Sequence, residues 1–300
     1  MTPLDRLIAL AAVQGTLDLR CQLHGSWHLD HPQLPASEAA YHIVLSGECR
    51  LSLSDGRHLP LREGQLLLLP HGASHILSHG EGTPGRPQQD RFGALPRVRI
   101  GRGTNGLDMF CGHFHHAPGS ALFDALPEVL LLPIQANSSL AALVELLRQE
   151  AESARQGARS LIDHLSGALF TLILRTHLEQ QPVLSGALAL LTDRRLARAW
   201  QAMLDDPARP WSVSELAALA NQSRATFARN FAALAGTSPG AMLTRLRMEK
   251  ARLLLRTSTL SLNAVALEVG YESPAAFSRA FRQCHGDAPG RYRQAGRAVD

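Results

Sequence analysis

The chain has 300 residues, 45% of them hydrophobic, and a formal charge of +4. That is long enough for two domains with cores of their own, and no apolar run approaches the roughly 18 residues a membrane span needs. The charge is uneven: residues 191–300 carry 16 Lys/Arg against 9 Asp/Glu, whereas residues 1–190 carry 14 against 17. A basic C-terminal part behind a mildly acidic N-terminal part suits a nucleic-acid reader joined to a domain that does not touch phosphate. Histidine is skewed the other way, with 11 of 14 inside residues 1–116.

The opening segment, MTPLDRLIALAAVQG, lacks a basic start before its apolar stretch and carries Asp5 inside it. It reads as mature protein rather than a signal peptide, with a cytoplasmic location expected. Residues 15–76 alternate and are punctuated by Gly and Asp, which predicts short strands, with a hairpin turn at Ser54-Asp55-Gly56. Residues 78–106 are rich in Gly, Pro, Arg and Gln and read as a flexible insertion between strands. Strand character resumes at Leu107–His115. From Ser138 the period becomes helical, with Leu140, Leu143, Val144 and Leu147 on one face. A second helix is expected over about 160–180, and a further helix start before Thr192.

The last third repeats itself at a spacing of 50. Ser223, Phe227, Arg229, Phe231, Gly236 and Pro239 recur as Ser273, Phe277, Arg279, Phe281, Gly286 and Pro289. Two copies of one helix-turn-helix unit follow from this. In the first, Ser212 and Glu215 open a helix, Asn221-Gln222 form the turn and Ser223 caps a second helix. Phe227 and Phe231, four apart, share the core face of that helix. Arg224, Ala225, Ala228 and Arg229 lie on other faces and are the candidate base readers, since arginine pairs bidentately with guanine and alanine can touch a thymine methyl. The second unit has a turn one residue longer and offers Ala275, Ser278 and Arg279. A long helix, about 244–257, joins the units.

The runs from Leu216 to Leu255 and from Val269 to Arg293 resemble the two signatures of the AraC family of bacterial regulators. Resemblance implies promoter DNA and RNA polymerase as partners, with a homodimer a candidate assembly. Gly64 through His75 fits the second motif of the cupin fold, and Val44–Glu48 resembles the close of the first. The expected fold is therefore α+β: a cupin-like β-barrel sensory domain (1–135), a helical connector or dimerisation segment (136–190), and an all-α double helix-turn-helix domain (191–300).

Catalytic cupins hold a metal with two His and a Glu from the first motif and a His from the second. Counting back from Val44 puts the first three near Gln33, Pro35 and Ala40, so His75 alone survives. One imidazole cannot hold a catalytic metal. An enzyme is not expected and no cofactor is called for, although His31, Glu38 or His42 could substitute in a rearranged site. His113 and His115, which share a strand face with Cys111, are weaker metal candidates beside His75.

The four cysteines, Cys21, Cys49, Cys111 and Cys284, form no CxxC pair and should be reduced thiols. Arg20 adjoins Cys21, and a cation or His⁺ near a thiol lowers its pKa. Cys49 and Cys284 read as small buried hydrophobes. Over its length the chain is similar to an AraC subgroup that activates genes in response to reactive chlorine species. The shared stretches are DRLIALAAVQGTLDLRC, LREGQLLLLPHGASHILSH, Cys111-Gly112 and LPEVLLL. This resemblance implies that Cys21 and Cys111 are the sensing thiols. The alternatives are a domain that binds a small molecule or metal, and a cupin enzyme fused to a DNA reader.

Overall fold

The computed structural model describes residues 1–103, 106–180 and 183–297. Chain order begins with α1 (Pro3–Ala11), β1 (Gln14–Leu23), β2 (Trp27–His31), β3 (Glu38–Ser46), β4 (Glu48–Leu53) and β5 (His58–Arg62). Then come β6 (Gln65–Leu69), β7 (His75–His79), β8 (Gln88–Phe92), β9 (Leu95–Ile100), β10 (Leu107–His115), α2 (Ala121–Asp124) and β11 (Leu130–Pro133). The rest is helical: α3 (Ser139–Glu152), α4 (Ala158–Gln180), α5 (Gly186–Thr192), α6 (Ala197–Asp205), α7 (Val213–Leu219), α8 (Arg224–Ala235), α9 (Pro239–Thr257), α10 (Leu262–Glu268), α11 (Pro274–His285) and α12 (Pro289–Arg297). No helix among the described residues is long and apolar enough to cross a membrane.

The compact units cut the chain differently from a linear division at 135 and 190. One unit holds residues 13–116 and 127–181; the other holds residues 1–12, 117–126 and 182–300.

The first unit is a two-layer β structure. A seven-stranded sheet runs β11-β6-β3-β10-β1-β9-β8 and a four-stranded sheet runs β2-β7-β4-β5. Both are open, so the expected closed barrel is replaced by two facing sheets. Their inner faces share one core, with Leu23, Val44, Leu67 and Met109 from the larger sheet and Trp27, Leu51, Leu61 and Leu77 from the smaller. Part of the segment expected to be a flexible insertion is instead β8 and β9, with β9 pairing parallel to β1. Their polar composition hid them: β8 is a mostly exposed edge strand, which needs no apolar alternation. Helices α3 and α4 pack together, and α4 lies on β1. The approach is close enough that a Cβ at Gly15 would sit 2.5 Å from the Ser166 backbone.

The second unit is all helix. Ser212 and Glu215 form a reciprocal cap on α7, and Ser223, Ser238, Ser261 and Ser273 each cap the helix that follows. Phe227 and Phe231 are fully buried under α8, as are Phe277 and Phe281 under α11. Arg247 of α9 donates to the carbonyls of Pro207 (2.7 Å), Ala208 (3.1 Å) and Arg209 (3.0 Å) and reaches Gly270 O at 3.4 Å. One guanidinium thus ties the segment before the first helix pair to the turn of the second. That turn needs glycine at 270, because φ is +80° and a Cβ would fall 2.1 Å from Ala208 O. Helix α1, capped by Thr2 and Asp5, joins this unit through its contacts with α6 and α9, including an Arg6–Asp205 ion pair at 2.8 Å. Residues 117–126 join it as well: Ala121 N–H donates to the buried Glu249 at 2.7 Å, and Arg252 donates to Pro118 O at 2.9 Å. Arg245 is ion-paired with Asp124.

Candidate functional site

On α8, Arg224, Ala225 and Arg229 are exposed and Ala228 is half-buried. On α11, Ala275 and Arg279 are exposed and Ser278 is half-buried. The buried phenylalanines take the face opposite Ala225, Arg229, Ala275 and Arg279, while Ala228 and Ser278 flank the core and Arg224 is exposed in the first turn of α8. Arg224, Arg229 and Arg279 make no ion pair among the described residues, in contrast to Arg209, which is bonded to Glu215 at 2.8 Å.

The sheet unit brings five sequence-flagged residues together. Cys111 on β10 is the register partner of His42 on β3, and His31 on β2 is the register partner of His75 on β7. One pair belongs to each sheet, and they meet in the interior. Cys111 Sγ lies 3.2 Å from His42 Nδ1, and His42 Nε2 lies 2.9 Å from His75 Nε2. His31 stacks on His75 with ring centroids 4.4 Å apart. Cys21, diagonal to Cys111 across the β1–β10 pair, places its Sγ 3.9 Å away.

The proton positions follow from one carbonyl. His75 Nδ1 lies 2.9 Å from Ala73 O, which can only accept, so Nδ1 carries the hydrogen. A neutral His75 then accepts at Nε2 from His42 Nε2–H. His42 Nδ1 is left as an acceptor for the Cys111 S–H. Burial keeps all three rings neutral: it pushes His42 well below the ordinary histidine range, lowers His75, and with His75 alongside brings His31 to about 4.

The thiols differ from expectation. Arg20 does not pair with Cys21. Strand alternation sends its guanidinium to Asp108 (2.6 Å) and Glu152 (2.9 Å) instead. The hydrogen bond from Cys21 and burial push the Cys111 thiol well above its usual value, so it is not an activated thiolate. Cys49 is buried, and burial raises its thiol to about 12. Cys284 was expected to be buried; it is exposed near the end of α11, a turn beyond Phe281, where the helix leaves the core.

His113 and His115 do not join His75. His113 is hydrogen-bonded to Asp18 at 2.5 Å, which raises its pKa, and His115 faces Glu38 at 3.8 Å. Counting along the cupin motifs left His75 alone, but His31, His42 and His75 offer ligand nitrogens all within 4.8 Å of one another. A linear count cannot bring β2 and β3 together across two sheets. The donors fit a metal of the kind cupins hold: three neutral imidazoles, with His31 Nδ1 buried and lacking a partner at hydrogen-bonding geometry.

Comparison with known proteins agrees with both units. Residues 2–179 match the cupin family model and residues 216–295 match a helix-turn-helix domain. An uncharacterized HTH-type transcriptional regulator of Haemophilus influenzae is 36% identical, with 98% of this chain and 99% of that protein covered. The HTH-type transcriptional regulator MtrA of Neisseria gonorrhoeae is 36% identical over 99% of each. The RCS-specific HTH-type transcriptional activator RclR of Escherichia coli is 32% identical over 98% of each. With its cupin domain, its paired helix-turn-helix units and relatives aligned end to end, the chain belongs to the AraC family of DNA-binding transcriptional regulators.

Proposed function

We propose that this regulator is an activator switched by oxidation of Cys21 and Cys111. The observation that carries the reading is the 3.9 Å between their sulfurs inside the sheet unit. An electrophilic chlorine oxidant, hypochlorous acid, balances the chemistry. The Cys111 thiol takes up chlorine to give a sulfenyl chloride and releases water. Cys21 sulfur then displaces chloride to form the disulfide, and its proton leaves to solvent. Cys111 reacts first because it is the more accessible of the two, at 7% against 2%. The name of the RclR relative supports chlorine as the signal.

Strand β10 carries Cys111 and runs directly into residues 117–126, whose Ala121 is bonded to Glu249 of α9. Ten residues of chain therefore separate the reacting sulfur from the helix that joins the two readers. In this reading Arg224, Ala225, Ala228, Arg229, Ala275, Ser278 and Arg279 meet base edges in successive major-groove segments. Contact with RNA polymerase follows DNA binding, in the cytoplasm. Cys21→Ala and Cys111→Ala should each abolish induction by hypochlorous acid while operator binding by the reduced protein persists. Cys49→Ala and Cys284→Ala should be silent. Induction surviving in the Cys21/Cys111 double variant would overturn the thiol reading.

A further inference from the structure

The disulfide chemistry leaves His31, His42 and His75 without a task, although His42 touches Cys111. Both His42 and His75 are held at Nδ1, one by Cys111 Sγ and the other by Ala73 O, and both turn Nε2 inward. That is how metal-bound histidines are built: the second ring nitrogen is pinned by a hydrogen bond so that the first presents its lone pair. The two inward nitrogens are 2.9 Å apart, close to the roughly 3.3 Å that separates two ligands of a tetrahedral zinc at about 2.0–2.1 Å each. A direct His42–His75 hydrogen bond accounts for that pair alone. It explains neither the parallel stacking of His31 on His75, at an interplanar angle of 6°, nor a ring nitrogen of His31 within 4.8 Å of those of His42 and His75. A third donor aimed at the same point explains both. An entry route exists: a surface depression lined by Asp30, His31, Ser52, Ser74 and His75 reaches the cluster from solvent.

We propose that His31, His42 and His75 form a binding site for a divalent transition metal of the zinc class. The neutral nitrogen donors favour such ions over magnesium or calcium, which prefer oxygen. Only His75 falls where the second cupin motif puts a ligand; His31 and His42 occupy none of the positions that the first motif counts out. Cys111 stays outside the coordination sphere, on the far nitrogen of His42. A metal on His42 Nε2 leaves that ring's hydrogen on Nδ1, so the bond to Cys111 reverses and the imidazole donates to sulfur. The site thereby touches the thiol pair through one ring.

The test uses the reduced, full-length protein stripped of metal and titrated with Zn²⁺ against a chromogenic chelator, with Co²⁺ as spectroscopic probe. One equivalent should bind, and Co²⁺ should show visible d–d absorption without a sulfur-to-cobalt charge-transfer band. His31→Ala and His75→Ala should each weaken binding by more than about tenfold; His31→Gln replaces His31→Ala if that variant unfolds. His164→Ala, an exposed histidine on α4, should bind as the parent does. Absence of a bound equivalent, or affinity unchanged in the His31 and His75 variants, would overturn the site. A charge-transfer band would overturn the three-nitrogen ligand set. The readout needs no inducer, so its failure would leave the thiol reading intact, and failure of the thiol reading would leave the metal site standing.

Discussion

Treating the reduced protein with one equivalent of hypochlorous acid should raise the melting temperature of the sheet unit, and the size of the rise follows from the geometry. The two sulfurs are 3.9 Å apart and must close by about 2 Å to reach bonding distance. Side-chain rotation supplies most of that, because the two residues are diagonal neighbours on adjacent strands. The bond would close a loop of about 90 residues, and restricting the unfolded chain by that loop is worth about 4.6 kcal/mol. Native strain subtracts from this, so the figure is an upper value. For a unit of this size each kcal/mol moves the midpoint by about 2–4 °C, giving a rise of at most about 9–18 °C. Calorimetry before and after oxidation, paired with a free-thiol count, reads the effect. The count should fall by two, and Cys111→Ala should abolish both changes. A fall of two thiols with no rise in midpoint, or a rise that persists without Cys21, would refute the reasoning.

Phe227→Ala should destabilise the helical unit by about 3–5 kcal/mol, since the ring is fully buried. Arg229→Ala should leave the melt within about 0.5 kcal/mol and weaken operator binding by about 1–3 kcal/mol; equal behaviour in the two assays would sink that division. Burial holds the Glu249 carboxyl above the ordinary glutamate range, so folding favours its protonated form. Its contribution is fully present at acid pH and is lost as pH rises through the raised value. Glu249→Gln, which keeps an acceptor for Ala121 N–H, should flatten that decline in a pH series of melts; a parent protein that gains on the variant as pH rises would contradict this. His113 is raised by its bond to Asp18, so the stability it adds is present below about 6.5 and fades as pH climbs through the folded value. Asp18→Asn should remove that dependence from the sheet unit, and an unchanged pH profile would show the pair to be inert.

Local chemistry was legible in the sequence wherever one element carried it. The serine caps at 212, 223 and 273, the Phe pairs four apart and the repeat of 50 residues all depend on neighbours within a turn or two, and they stand where the sequence put them. Helix α1 escaped notice although Thr2, Pro3 and Asp5 spell a capped start; its partners, α6 and α9, lie about two hundred residues away. The histidine cluster was partly in view, since His31 and His42 were named as substitutes for motif ligands. What joined them was register, two cross-strand pairs facing each other, and register between distant strands leaves no mark in a linear count. Arg20 shows the same limit at short range: adjacency to Cys21 suggested contact, while the pleat of β1 separates the two side chains.

The helical unit is assembled from three stretches of chain, with α1 at the start and the paired readers at the end. On the ribosome α1 emerges first and must wait for nearly the whole polypeptide before its docking surface exists, because domains close as their segments become available. A chain that stops early therefore carries no finished reader. The sheet unit, by contrast, can complete itself once residue 180 has cleared the exit tunnel. Synthesis thus runs from sheet unit to DNA-binding unit, and a truncated product holds a finished sheet unit without a finished reader.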